Sequence, residues 1–317
     1  MSTVALQRVM TRMLFDPTFA RAVYADAAGA LRGVDLSDAE RALLTRPDPR
    51  RWRADAERPH RALEALLAHL PVTLALRATL GGEARGLLDF FASGAFHEAI
   101  MSRALLSDSF AAWVAAAPPL RDAAWGAPLA ALEAACAALR AAPLPAAALA
   151  PAPPPPLEAL HPARPARLGA RARLLWLPAG AVAHLEAARA ALAGRGPLAA
   201  LAPLDAHALG GEEALARLCA PRSARPPLCA VSVRGAAESA AEGAAEGAVE
   251  GVLIERGPDG VGVSALPPAL AALLGRAAAG AALGQLLSAV EAAGVSAEGA
   301  REVVGGLAAE GLVALGD

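Results

Sequence analysis

Apolar residues recur three and four positions apart through most of residues 1–143, a spacing that predicts amphipathic helices. Asp16-Pro17 marks one helix start, with proline already set for the first helical position. Ser37-Asp38-Ala39-Glu40 has the reciprocal spacing of a capping box. Longer helical patterns run through RALEALLAHLPVTLAL (Arg61 to Leu76), GLLDFFASGAFHEAIMSRAL (Gly86 to Leu105) and LAALEAACAALRAA (Leu129 to Ala142). No strand pattern competes with them before residue 150.

The texture changes across LPAAALAPAPPPPLEALHPARP, Leu144 to Pro165, which is too proline-rich for a regular element and reads as an extended, semi-rigid linker over 144–167. Beyond it, Arg171 to Leu177 and Leu228 to Arg234 have strand character, with helices expected at Ala181 to Leu192 and Glu212 to Leu218. The stretch Ala236 to Gly251 repeats glutamate every fourth residue among glycines and reads as an acidic loop. VLIERGPDGVGVSAL, Val252 to Leu266, places two branched apolar runs about a Pro-Asp-Gly turn and predicts a β-hairpin. Three helices should follow. Pro267-Pro268 starts the first, Gly294 stops the second, and Ser296 and Gly311 bound the third, before a closing strand, LVAL. The expected class is α+β: an all-helical domain over 1–143, then a mixed α/β domain over 168–317 ending in a winged-helix-like unit.

Composition narrows the functions. The 317 residues are 56% hydrophobic, but alanine supplies much of that share, and Arg276 interrupts the most apolar C-terminal run, so no membrane span is expected. Arg8, Arg12 and Asp16 break the segment where an export signal would need apolar continuity, which points to the cytoplasm. Cys136, Cys219 and Cys229 have no metal-type spacing and read as free thiols. The formal net charge of −2 gives no general attraction to nucleic acid. From Gly251 onward, seven acidic residues face three basic ones, the reverse of what a DNA-reading helix needs. The basic run Arg50 to Arg53 is offset by Asp48, Asp55 and Glu57.

Catalytic signatures are missing from the sequence. The six histidines share no ligand spacing, and there is no HExxH motif, nucleophile elbow, phosphate loop or dinucleotide fingerprint. The expectation is therefore a protein with no catalytic residue, no metal and no cofactor of its own. His97, beside Phe90, Phe91 and Phe96, is the most suggestive position and reads first as a structural or interface histidine.

The segment MLFDPTFARAVYADAAGALRGVDLSDAERALLTRPDPRRWRAD resembles a helical module also seen in small subunits of extradiol-type dioxygenases. FFASGAFHEAIMSRALLSDSFAAWVAA, then RLLWLPAGAVAHLEAARAAL, and last the hairpin with three helices ending AAEGLVAL, resemble the partner proteins of multinuclear non-haem iron oxidative enzymes. Those enzymes modify ribosomally made precursor peptides. The resemblance implies a partner that binds the precursor and docks it on the iron enzyme, with the iron and oxygen chemistry left to the other chain. A peptide would add as a strand at Val261, Gly262 and Val263, beside Arg301, Val304 and Leu307 of the third helix, the last two of which fit a pure core role equally well. The aromatic set Phe90, Phe91, Phe96, Phe110 and Trp113 reads first as core, and some of it, with His97, would instead meet the enzyme. A winged-helix transcriptional regulator is the alternative, and an enzyme whose site only the fold assembles is the third reading.

Overall fold

The computed structural model describes residues 3–53, 55, 57–144, 152–156, 160–196, 201–221 and 249–316. They form a mostly helical α+β chain with two small antiparallel sheets. The strand expected at 228–234, most of the acidic repeat and Cys229 lie outside these residues.

Helices α1 (Thr3–Phe15), α2 (Pro17–Ala25), α3 (Ala27–Ala30) and α4 (Asp38–Thr45) enclose a first core around Met13, Val23, Leu31 and Leu44. Local chemistry sets their ends. Asp16 Oδ1 accepts the N–H groups of Thr18 at 3.0 Å and Phe19 at 2.9 Å, and Ser37 with Glu40 forms the reciprocal capping box. A 3-10 turn, Pro49–Arg53, adds Trp52, whose Nε1 donates to Tyr24 Oη at 2.9 Å.

The pattern over residues 61–76 is divided between α5 (Arg58–Leu67) and α6 (Pro71–Thr79), bent by 100°. Pro71 lacks the N–H that would continue α5, and it starts the next helix instead. The pattern from residue 86 to 105 also splits, into a 3-10 segment, Ala84–Ala92, and α7 (Gly94–Ser102), because Ser93 Oγ accepts the Phe96 N–H and begins a new helix. Helices α8 (Leu106–Ala116) and α9 (Gly126–Ala141) complete the array.

Two short strands follow, β1 (Ala166–Leu168) and β2 (Ala172–Pro178), then α10 (Ala181–Leu192) and α11 (Glu212–Leu218). The hairpin is β3 (Val249–Gly257) and β4 (Gly260–Leu266). Three C-terminal helices, Pro268–Ala278, Leu283–Ala292 and Ala297–Ala309, lead to β5 (Val313–Leu315), which pairs with β1. Residues 160–167, the expected end of the linker, are packed into this unit: Leu160 is buried, and the carbonyls of Pro162 and Arg164 accept the N–H groups of Gly284 at 2.8 Å and Leu283 at 2.7 Å.

The β2-β3-β4 sheet is the middle layer. Side chains alternate along a strand, so Val252 and Ile254 face one way and Leu253 the other. Val252 and Ile254 join Phe90, Leu132 and Leu185 in the large core under α9 and α10. Leu253 joins Leu274, Leu286 and Val304 in a smaller core beneath the C-terminal helices. Trp176 lies against Gly251 and Gly275, where the missing side chains let the indole fit between strand and helix.

Candidate functional site

Among the described residues, the outer edge of β4 is left without a strand partner. The Arg256 N–H bonds to the Arg171 carbonyl at 2.8 Å, so the backbone at Arg256 turns toward β2 while that of Glu255 and Gly257 turns toward β4. Their partners Gly262 and Gly260 therefore bond inward, and the N–H and C=O groups of Val261, Val263 and Ala265 point away from the sheet.

Edge strands are commonly protected by charge, proline or a bulge. The other edge, β2, carries Arg173 and ends at Pro178. The β4 sequence GVGVSAL has neither charge nor proline. Its frame is nevertheless held: Val261 and Val263 pack by their side chains on the large core, with α9 and α10 lying against β4. Arg256 Nη1 donates to the carbonyls of Leu139 at 3.0 Å and Ala142 at 2.6 Å, so a cation of the hairpin sits on the C-terminus of α9. The arrangement can donate and accept main-chain hydrogen bonds to an extended chain without rearranging itself.

The residues expected to form one peptide site fall into two groups. Val261, Gly262 and Val263 form the edge, whereas Val304 is fully buried and Leu307 packs in the smaller core, on the other side of the sheet. Arg301 is exposed on that same third helix. Helix α10 takes the neighbouring place on the Val261 and Val263 face. Its buried stripe of Ala181, Val182, Leu185 and Ala188 signalled a packed helix in the sequence, without naming the strand it meets.

The aromatic set lies mostly in the core, its first reading, and the buried rings offer no face to an enzyme. Phe90, Phe91 and Phe96 are 0%, 2% and 1% exposed, and Phe110 is fully buried, so these rings are core. Phe15 of α1 completes the cluster, with ring centres 5.1 Å from Phe91 and 5.3 Å from Phe96. Trp113 is half-buried, packed on Phe90 and stacked on Phe110. Of the set, only His97 and Trp113 reach the surface in part.

His97 sits where α7 meets α1. Burial holds its imidazole below the ordinary range, and Arg12 adds to that, while Asp16 and the Phe91 carbonyl act the other way. Among the described residues no three of His, Cys, Asp and Glu gather as metal ligands. Cys136 is buried and Cys219 half-buried, both as free thiols, and burial pushes the Cys219 thiol up. No single helix among the described residues is long and apolar enough to cross a membrane. Comparison of the chain with protein-family models, with curated proteins and with solved structures finds no match in any of the three.

Proposed function

We propose that this chain is a non-catalytic partner subunit that takes up a ribosomally made precursor peptide and presents it to a multinuclear non-haem iron enzyme. In this reading residues 249–315 act as a winged-helix-like recognition unit, and the peptide adds to β4 as a fourth strand. The observation that carries it is the outer edge of β4, with which no strand among the described residues pairs, and whose main-chain groups at Val261, Val263 and Ala265 turn outward on a frame fixed by α9 and α10. Backbone bonds would supply affinity, and alternate side chains of the peptide would supply selectivity. The acidic balance of the C-terminal region favours a peptide with basic residues, whose encounter salt would slow.

The test is titration of a fluorescent precursor leader against the full chain and against Val263→Pro, with far-UV circular dichroism on both. Proline removes one outward donor without touching the β3 ladder. Binding to the parent chain that is lost in the folded variant supports the role. Equal binding by both, or tight binding to duplex DNA with no peptide affinity, refutes it.

A further inference from the structure

Glu255 stands on β3 in register with Ala172 of β2 on one side and Gly262 of β4 on the other. It shares a face with Leu253, the face turned away from α9 and α10. Ala172 is buried and apolar, and Gly262 carries no side chain, so neither cross-strand neighbour balances the carboxylate. Among the described residues the Glu255 side chain has no hydrogen bond and no ion pair, and its oxygens are not closed off from solvent. The stem leans toward the β4 side: a Cβ built at Gly262 would meet the Glu255 Cγ at 4.0 Å and nothing else that near. Gly262 and Ser264, the β4 residues of this face nearest to it, are both exposed.

We propose that Glu255 reads one residue of the peptide added at β4, the one that pairs with Gly262, and selects arginine or lysine there. The inference rests on the proposed strand addition and names a determinant of the peptide that it takes. Residues in register on neighbouring strands point to the same face, so the side chain paired with Gly262 emerges on the Glu255 side. Two strand spacings, about 9–10 Å, separate that residue's backbone from β3. A side chain at position 262 would fill the interval. Glycine leaves it clear, so a long basic stem can lie over bare backbone with its cation at Glu255. The peptide residues on either side turn to the opposite face, where Val261 and Val263 pack on the large core beside α10 and apolar side chains fit. The acidic balance of the region acts at a distance and favours basic residues anywhere in the peptide, whereas this contact favours a single position between two apolar ones.

The experiment uses the full chain and three fluorescein-labelled strand peptides, acetyl-Thr-Val-Xaa-Val-Thr-amide with arginine, glutamine or glutamate at Xaa, titrated by fluorescence anisotropy. The expected order of affinity is arginine, glutamine, glutamate, with arginine about threefold tighter than glutamine, the size of a partly exposed ion pair. Glu255→Gln should remove that preference and leave the glutamine peptide's affinity unchanged. Gly262→Val, whose added side chain the space beside Glu255 accepts, should remove it as well. Glu302→Gln takes the same charge from an exposed position on the third C-terminal helix and should leave the preference intact. Far-UV circular dichroism accompanies each variant. Equal affinity for the three peptides, no binding by any of them, a preference kept in Glu255→Gln, or one lost equally in Glu302→Gln overturns the inference. Equal affinities that Val263→Pro abolishes leave the role of β4 standing while this assignment fails, so the two are told apart.

Discussion

Glu133, fully buried in α9, accepts the backbone N–H of Val72 at 2.9 Å and, with its other oxygen, that of Thr73 at 2.8 Å. The residue before Pro71 offers no side-chain cap, so a carboxylate some sixty positions along the chain closes the N-terminus of α6. Glu133→Ala leaves two buried donors without partners and should lower stability by about 3 kcal/mol, read from urea unfolding. Glu133→Gln keeps one acceptor and should cost less.

Acid and base act on this chain with opposite signs. Burial raises the Glu133 carboxyl above its ordinary range, against the opposing pull of its two N–H donors and Arg189. Its contribution is therefore complete below the ordinary glutamate value and is lost as pH rises through the raised one. His69, His97 and His184 are all lowered, first by burial and then by Arg140, Arg12 and Arg217 respectively. Their contribution is complete above about pH 6.5 and is lost as pH falls through the lowered values. On acidification below about pH 6.5 the histidines should lower the urea midpoint and Glu133 should oppose them, so Glu133→Gln should steepen the drop and His184→Gln should flatten it.

Arg256 ties the hairpin to the end of α9. Arg256→Met keeps the stem but removes two bonds to terminal carbonyls, an expected loss of about 1–3 kcal/mol. Hydrogen exchange should quicken in the last turn of α9 and in β3 together. Exchange that quickens in β3 alone would deny the link.

Gly251 marks the closest approach of β3 to the Pro268–Ala278 helix. A Cβ there would lie 2.3 Å from the Ala271 Cβ, so Gly251→Ala forces strand and helix apart, at about 1–3 kcal/mol. Ala271→Gly in the same chain removes the collision, and thermal melts of the pair should show recovery beyond additivity.

What was legible in the sequence is what neighbouring residues decide. Asp16, the Ser37–Glu40 box, the Pro-Asp-Gly turn and the stops at Gly294 and Gly311 all act within a few positions, and the elements they bound are in place. The break at Pro71 was readable in principle, since proline is a known boundary, but apolar spacing runs straight through it and masked the change of direction. Glu133, Arg256 and Phe15 complete their contacts with residues distant in the chain, and no local pattern announces such partners. The residues of the proposed peptide site were only half placed by the sequence, for the same reason. Alternation identified the β4 edge, whereas the helix beside its core face is set by how the sheet is layered, which put α10 there and Val304 behind it.

The sheet's two-sided burial also decides how the chain can be divided. Leu177, Val252 and Ile254 belong to the same core as Phe90 and Leu132, so a cut in the proline-rich segment separates sequence but not structure. Each piece made alone would present a raw apolar face, one of helices and one of strands, and would tend to self-associate. Made together, the pieces should find each other and restore the parent's unfolding transition. Cut there, the chain would serve as a split protein, its halves reporting on one another by complementation.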